Sequence, residues 1–116
     1  MSYDMPIPQP FLDYSVEMMR DQQILEDVKE MLELLKLRAP GRAIEVRVPP
    51  YAAVQCGEGP THTRGTPANV VEMNAQTWLA LASGELLWAD AMQSGAINAS
   101  GVRADLTPYL PLRIHP

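Results

Sequence analysis

The sequence is poor in the side chains that most often carry chemistry. Among 116 residues there is one cysteine, Cys56, and there are two histidines. A single cysteine excludes an internal disulfide and the paired cysteines of common zinc sites, and it fits a reducing compartment. We therefore expect neither a metal nor any other cofactor.

Cations are also scarce. Two lysines and seven scattered arginines oppose 14 acidic residues, so the formal charge is −5 and the pI is near 4.9. Nucleic acid is excluded as a partner, because clustered Lys and Arg drive its binding. No apolar run approaches the length of a membrane span, and no signal-peptide pattern opens the sequence. We expect a cytoplasmic protein without integral membrane association.

Proline dominates the beginning of the sequence. Three prolines alternate with other residues between positions 6 and 10. Because proline lacks an N–H and fixes φ, we expect an extended arm or disorder over residues 1–12. The chain is therefore divided into residues 1–20, a proline-containing arm and helix start, and residues 21–112, a single domain.

A helix is predicted from about Ser15 or Asp21 to Arg38, where Pro40-Gly41 follows. Apolar residues recur there at steps of three and four, as one face of an α-helix requires. They are Ile24, Leu25, Val28, Met31, Leu32 and Leu35.

The hydrophobic period then changes to two. Ile44, Val46 and Val48 face one way, whereas Glu45 and Arg47 face the other, which predicts a half-buried strand. Further strands are predicted at residues 51–55, 70–73 and 96–100.

Short helices are predicted in the second half. Asn74 is a suitable N-cap for a helix over residues 75–83, and Gly84 is a suitable end. A second helix is expected over residues 85–94 and a last turn or two within 102–110. This order of elements predicts an α+β fold with helices on one face of a mostly antiparallel sheet.

A block of glycines carries a family resemblance. The run GELLWADAMQSGAINASG places glycines at 84, 95 and 101, with Ala91 between the first two. The upstream segments that match are RAPGR (38–42), EVRVPPYAAVQCGEGPTHTRGTP (45–67) and NVVEM (69–73). Over residues 38–110 the sequence resembles a bacterial branch of the sterol carrier protein 2 family.

The resemblance implies an SCP2-like fold, in which a five-stranded sheet and its helices enclose an apolar cavity. Family members hold lipids there without changing them chemically. It therefore implies a non-enzymatic protein whose partner is a lipid or another apolar small molecule. The candidate cavity residues are Val46, Val54, Val71, Trp78, Leu81, Trp88, Met92, Ile97, Leu106 and Leu110. The same apolar faces would equally form a filled core, and the sequence leaves both alternatives open.

The loop QCGEGPTHTRGTP, residues 55–67, gathers reactive residue types. Cys56 and His62 could form a nucleophile and its base, but Cys56 continues the inward alternation of Val54 and is more typical of a small buried side chain. No second ligand pair supports a metal site. We interpret the loop as structural, with His62 and Arg64 as candidates for the rim of the cavity, and we assign no catalytic residue.

A second hypothesis treats the chain as a protein–protein interaction module with a filled core. The helix over 15–38 carries an extra apolar edge at Val16, Met18 and Met19. An exposed apolar patch of this kind is typical of an interface. The helix would then contact a partner or a second copy of the chain in a homodimer.

Overall fold

The computed structural model describes the backbone of residues 9–60 and 68–113 and the side chains of residues 15–60 and 68–113. Within these ranges the elements are α1 (Gln9–Arg38), β1 (Ile44–Val48), β2 (Ala52–Cys56), β3 (Val70–Met73), α2 (Ala75–Ser83), α3 (Trp88–Gln93), β4 (Ile97–Ser100) and a 3-10 turn (Thr107–Tyr109). Their order is the one that the hydrophobic periodicity predicts.

Helix α1 begins earlier than predicted. It includes residues 9–12, so the expectation of an extended arm is wrong for these residues, and residues 1–8 lie outside the described part. Pro10 is tolerated because it falls in the first turn, where backbone N–H groups lack intrahelical acceptors. The C-terminal half follows the predicted stripe, with Val28, Leu32 and Leu35 buried.

The sheet has the strand order β2-β1-β3-β4. The β1–β2 and β3–β4 pairs are antiparallel, whereas β1 and β3 run parallel. The predicted α+β class and the mostly antiparallel sheet are confirmed. The described residues form four strands rather than the five that the family resemblance implies.

The helices cover one face of this sheet. Val46 on β1 and Val71 on β3 are fully buried in one core cluster with Leu35 of α1 and Trp78 of α2. The alternate strand positions are half-buried or exposed and largely polar; they include Glu45, Arg47, Glu72, Asn98 and Ser100. Because neighbouring positions point to opposite faces, period-two patterning places the apolar layer under the helices. Within the described ranges, no helix combines the length and apolarity that crossing a bilayer requires.

Glycines end the short elements, as the family resemblance implies. Gly84 follows α2 with φ of 86°, Gly95 follows the C-cap residue of α3, and Gly101 follows β4. Gly101 also lies against Asn69, a buried residue whose amide donates to the Ala43 carbonyl at 2.9 Å and accepts from the Arg103 N–H at 2.9 Å. Backbone conformation and close contact both require glycine at this position.

We predict that Gly101→Ala destabilises the protein more than Gly95→Ala. Both residues have positive φ, which costs an alanine about 1–2 kcal/mol. A Cβ at position 101 would lie 2.3 Å from the Ala68 carbonyl oxygen, whereas at position 95 it meets nothing within 4 Å. The expected loss for Gly101→Ala is at least about 3 kcal/mol. Urea unfolding measures both, and equal losses would contradict the prediction.

Candidate apolar binding site

Most of the predicted cavity residues lie in the filled interior. Val46, Val71, Trp78 and Leu106 have no exposed surface. A side chain that lines a hollow wide enough for water would keep some accessible surface, so these four side chains pack against protein on all sides. Ile97 is also buried, and Val54 is half-buried against the core. Contact of these residues with a ligand stays a prediction.

The indole of Trp78 is fixed in this interior. Its ring nitrogen donates a hydrogen bond to the Val28 carbonyl of α1 at 3.3 Å. Trp78 is the largest fully buried side chain, so it fills the space where α2 crosses α1. A packed and hydrogen-bonded indole joins these two helices.

Three other predicted residues meet at the edge of the fold. Leu81, Trp88 and Leu110 line an open pocket of about 260 Å³, which we name the apolar pocket. Trp88 and Leu110 are half-buried, whereas Leu81 belongs to the core and is 1% exposed, so it offers the pocket little surface. It lies between the end of α2, the beginning of α3 and the segment 107–111. Its lining residues are Leu81, Ser83, Gly84, Leu86, Leu87, Trp88, Thr107, Leu110 and Pro111. Met92 is not among them and is 42% exposed.

The α2–α3 linker supplies lining residues that the sequence reasoning missed. Leu86 and Leu87 were expected inside a helix over 85–94, but α3 begins at Trp88. The N–H of Leu86 donates to the Ala80 carbonyl at 3.1 Å, which turns the chain back over the end of α2. The positive φ of Gly84 permits this turn. A glycine at the end of a helix was the sequence signal that could have predicted it.

The wall opposite the α2–α3 linker is the segment 109–112, which Arg38 holds in place. The Arg38 guanidinium donates to the carbonyl oxygens of Tyr109, Pro111 and Leu112 at 3.0, 2.5 and 3.5 Å. The N–H groups of Leu112 and the next residue both donate to the Ala82 carbonyl at 2.9 and 3.0 Å. These bonds tie the wall to the ends of α1 and α2, so the apolar pocket is preformed.

A larger groove of about 380 Å³ lies between α1 and α2. Its floor is apolar, but Asp27, Glu30, Glu85 and Arg113 line it, and the Arg113 guanidinium pairs with Glu30 at 2.8 Å. Charged side chains disfavour the burial of an apolar chain. The smaller apolar pocket is therefore the better candidate for an apolar ligand.

Cys56 is buried, as its alternation with Val54 predicts. Burial raises the pKa of its thiol from the ordinary value of 9.0 to about 11. A nucleophilic cysteine requires the thiolate, which this environment disfavours. His62 and Arg64, the candidate rim residues, lie outside the described residues. Within the described ranges, no group of metal-ligating side chains is present.

We predict that Cys56 makes stability fall at alkaline pH. The unfolded chain loses the thiol proton above about pH 9, whereas the folded chain keeps it until about pH 11. The contribution of the protonated Cys56 thiol to the free energy of unfolding is therefore fully present below pH 9 and is lost as the pH rises to 11. This loss amounts to about 3 kcal/mol. Urea unfolding across this pH range measures it, and the Cys56→Ala variant should not show it.

Thiol labelling provides an independent check on Cys56. A disulfide reagent at pH 8 should modify the native protein far more slowly than the unfolded protein. Rapid labelling without unfolding would contradict the buried, protonated thiol.

A solved structure, sterol carrier protein 2 like 2 (SCP2-L2) from Aedes aegypti, is similar at 19% identity and a TM-score of 0.39; the likeness covers 80% of this chain and 94% of that chain. No curated protein matches the sequence. The family model described as a bacterial SCP ortholog matches residues 20–112. The chain therefore belongs to the bacterial SCP2-like family.

Proposed function

We propose that the protein binds a lipid or another apolar ligand without chemically changing it, and that the apolar pocket is the site. The observation that carries this proposal is the meeting of Leu81, Trp88 and Leu110 at one open pocket. Membership of the SCP2-like family supports a lipid-binding role. The binding domain would comprise residues 21–112, with residues 1–20 as an additional segment.

Affinity would come from the burial of methylene groups. Each buried CH₂ contributes about 0.8 kcal/mol. The indole of Trp88 offers a large half-buried wall, and Leu87, which is 66% exposed, extends the apolar surface to the mouth. Ligand that covers Leu87 and Trp88 would remove apolar surface from water that the free protein leaves exposed.

The chemistry of the pocket supports binding rather than catalysis. Its hydroxyl groups belong to Ser83 and Thr107. The Ser83 hydroxyl donates to the Ala80 carbonyl at 3.2 Å, and the Thr107 hydroxyl donates to Asp105 at 2.6 Å. A nucleophilic hydroxyl needs a base that is oriented by a third group. Neither pairing forms such an arrangement.

We predict that Leu87→Glu weakens binding of the neutral probe N-phenyl-1-naphthylamine at least about tenfold, or about 1.4 kcal/mol. A carboxylate at the pocket mouth must be desolvated when an apolar ligand covers it. The fluorescence of the probe measures its dissociation constant. Leu37→Glu is the matched control, because Leu37 is 78% exposed and does not line the apolar pocket.

Two further readouts decide the outcome. The intrinsic emission of the protein should shift on binding, and Trp88→Phe should abolish this shift because Trp78 is buried away from the pocket. Equal affinities for the Leu87→Glu and Leu37→Glu variants would place the site elsewhere. Failure of the wild-type protein to bind the probe or any extracted lipid would refute the function.

A second candidate function is self-association through α1. The radius of gyration is 18.0 Å, against about 13 Å for a compact chain of this length, and residues 15–23 of α1 are exposed. At about 100° per residue, Val16 and Met19 lie on the side of α1 away from the core residue Val28. The domain therefore leaves this apolar edge available to a second copy.

We predict that the double substitution Val16→Glu and Met19→Glu shifts any dimer to monomer without changing stability. Both side chains are exposed, so folding does not bury the added charges, whereas a homodimer contact would. Sedimentation velocity over a concentration series measures the state. A wild-type protein that stays monomeric at the highest concentrations would exclude this function.

A further inference from the structure

The apolar pocket is lined by uncharged side chains. Two cations of the described part lie near its outer wall, and both make other contacts: Arg38 donates to backbone carbonyls, and Arg113 pairs with Glu30. An anionic ligand that enters the pocket would therefore lose water without gaining a cationic partner. Burial of an unpaired carboxylate is strongly unfavourable.

An acidic residue contacts the lining of the pocket. Asp105 contacts the lining residue Thr107, because one carboxylate oxygen accepts from both its N–H at 2.9 Å and its hydroxyl at 2.6 Å. This carboxylate repels an anion that approaches Thr107.

The hydrogen bonds inside the pocket select the polar end of a ligand. A hydroxyl has one hydrogen, and those of Ser83 and Thr107 are donated to protein acceptors. Both hydroxyls can offer a ligand only lone pairs. A ligand hydroxyl can donate to these lone pairs, whereas a carboxylate can only accept.

The volume limits the size of the buried chain. A volume of 260 Å³ equals about nine water-sized groups, since each occupies about 30 Å³. A methylene is similar in size to a water molecule. The core residues Leu106 and Trp78 have no exposed surface, so the interior offers no continuation of the pocket. The fused rings of a sterol exceed this space.

We infer that the apolar pocket selects an uncharged straight-chain ligand of about nine carbons with a terminal hydroxyl, over the carboxylate of the same length. The inference rests on the proposed function, because it names the ligand class of the same pocket. A medium-chain fatty alcohol has the required length, neutrality and hydrogen-bond donor.

Displacement of N-phenyl-1-naphthylamine from the wild-type protein at pH 7.5 tests which terminal polar group of a ligand the pocket prefers. The competitors are 1-nonanol, nonanoate and methyl nonanoate, which is neutral but cannot donate. Nonanol should bind at least tenfold more tightly than nonanoate, and the ester should lie between them. Nonanoate as tight as nonanol would overturn the exclusion of anions. An ester as tight as nonanol would overturn the need for a donor.

Removal of one charge isolates the electrostatic contribution. Asp105→Asn keeps an amide oxygen as the acceptor for Thr107, so it should tighten nonanoate binding at least threefold and leave nonanol binding unchanged. Glu17→Gln changes the net charge equally on an exposed part of α1 away from the pocket, and it should change neither affinity. Equal effects of the two substitutions on nonanoate would show that only the total charge matters and would overturn the local argument.

A series of alcohols tests the length. Affinity should rise about fourfold with each methylene up to about nine carbons and then stay level. A continued rise to hexadecanol would show that the chain enters the core, and it would overturn the size limit. If the probe binds the pocket but no alcohol displaces it, this inference fails and the proposed function stands. If the probe itself does not bind the wild-type protein, the proposed function fails.

Discussion

Trp78 occupies the position on which the arrangement of the helices depends. Its side chain, on α2, belongs to one core cluster with residues of α1 and the sheet, and its indole nitrogen donates to the Val28 carbonyl. With Leu35, Val46 and Val71 fully buried around it, the interior is closed to water. Apolar surface that the core leaves partly exposed lies beyond the far end of α2, where Leu86, Trp88 and Leu110 meet. Because the interior is filled, the space available to an apolar ligand lies at the edge of the fold.

Local signals were sufficient to predict most of the elements. The side chain of Asn74 caps α2 by accepting from the N–H of Thr77 at 2.8 Å, and Gly84 ends that helix, as the residue types indicate. The strand β1 follows its period-two pattern from Ile44 to Val48. The beginning of α1 was predicted too late, because proline at the first turn of a helix resembles proline in an extended arm. Local sequence does not separate these two cases.

The candidate site was only partly predictable, for a different reason. An inward apolar residue either fills the core or lines a space, and the choice depends on the volumes of side chains in facing layers. Trp78 and Trp88 show the same helical spacing to their neighbours, yet the first is buried and the second borders the pocket. The wall opposite Trp88 depends on Arg38, whose acceptors lie more than 70 residues away in the chain. No window of local sequence contains that contact.

The scarcity of cations links the composition of the chain to the character of its pocket. Arg42 donates to Gln55, Arg47 pairs with Glu45, and Arg103 donates to the Glu58 carbonyl. Arg38, Arg42, Arg103 and Arg113 join separate segments of the fold, whereas the Arg47–Glu45 pair lies within β1. A protein with few lysines and arginines, most of which hold its own backbone or carboxylates, has little positive charge left for a ligand. The same deficit that argues against a nucleic-acid partner is consistent with a pocket whose lining is neutral.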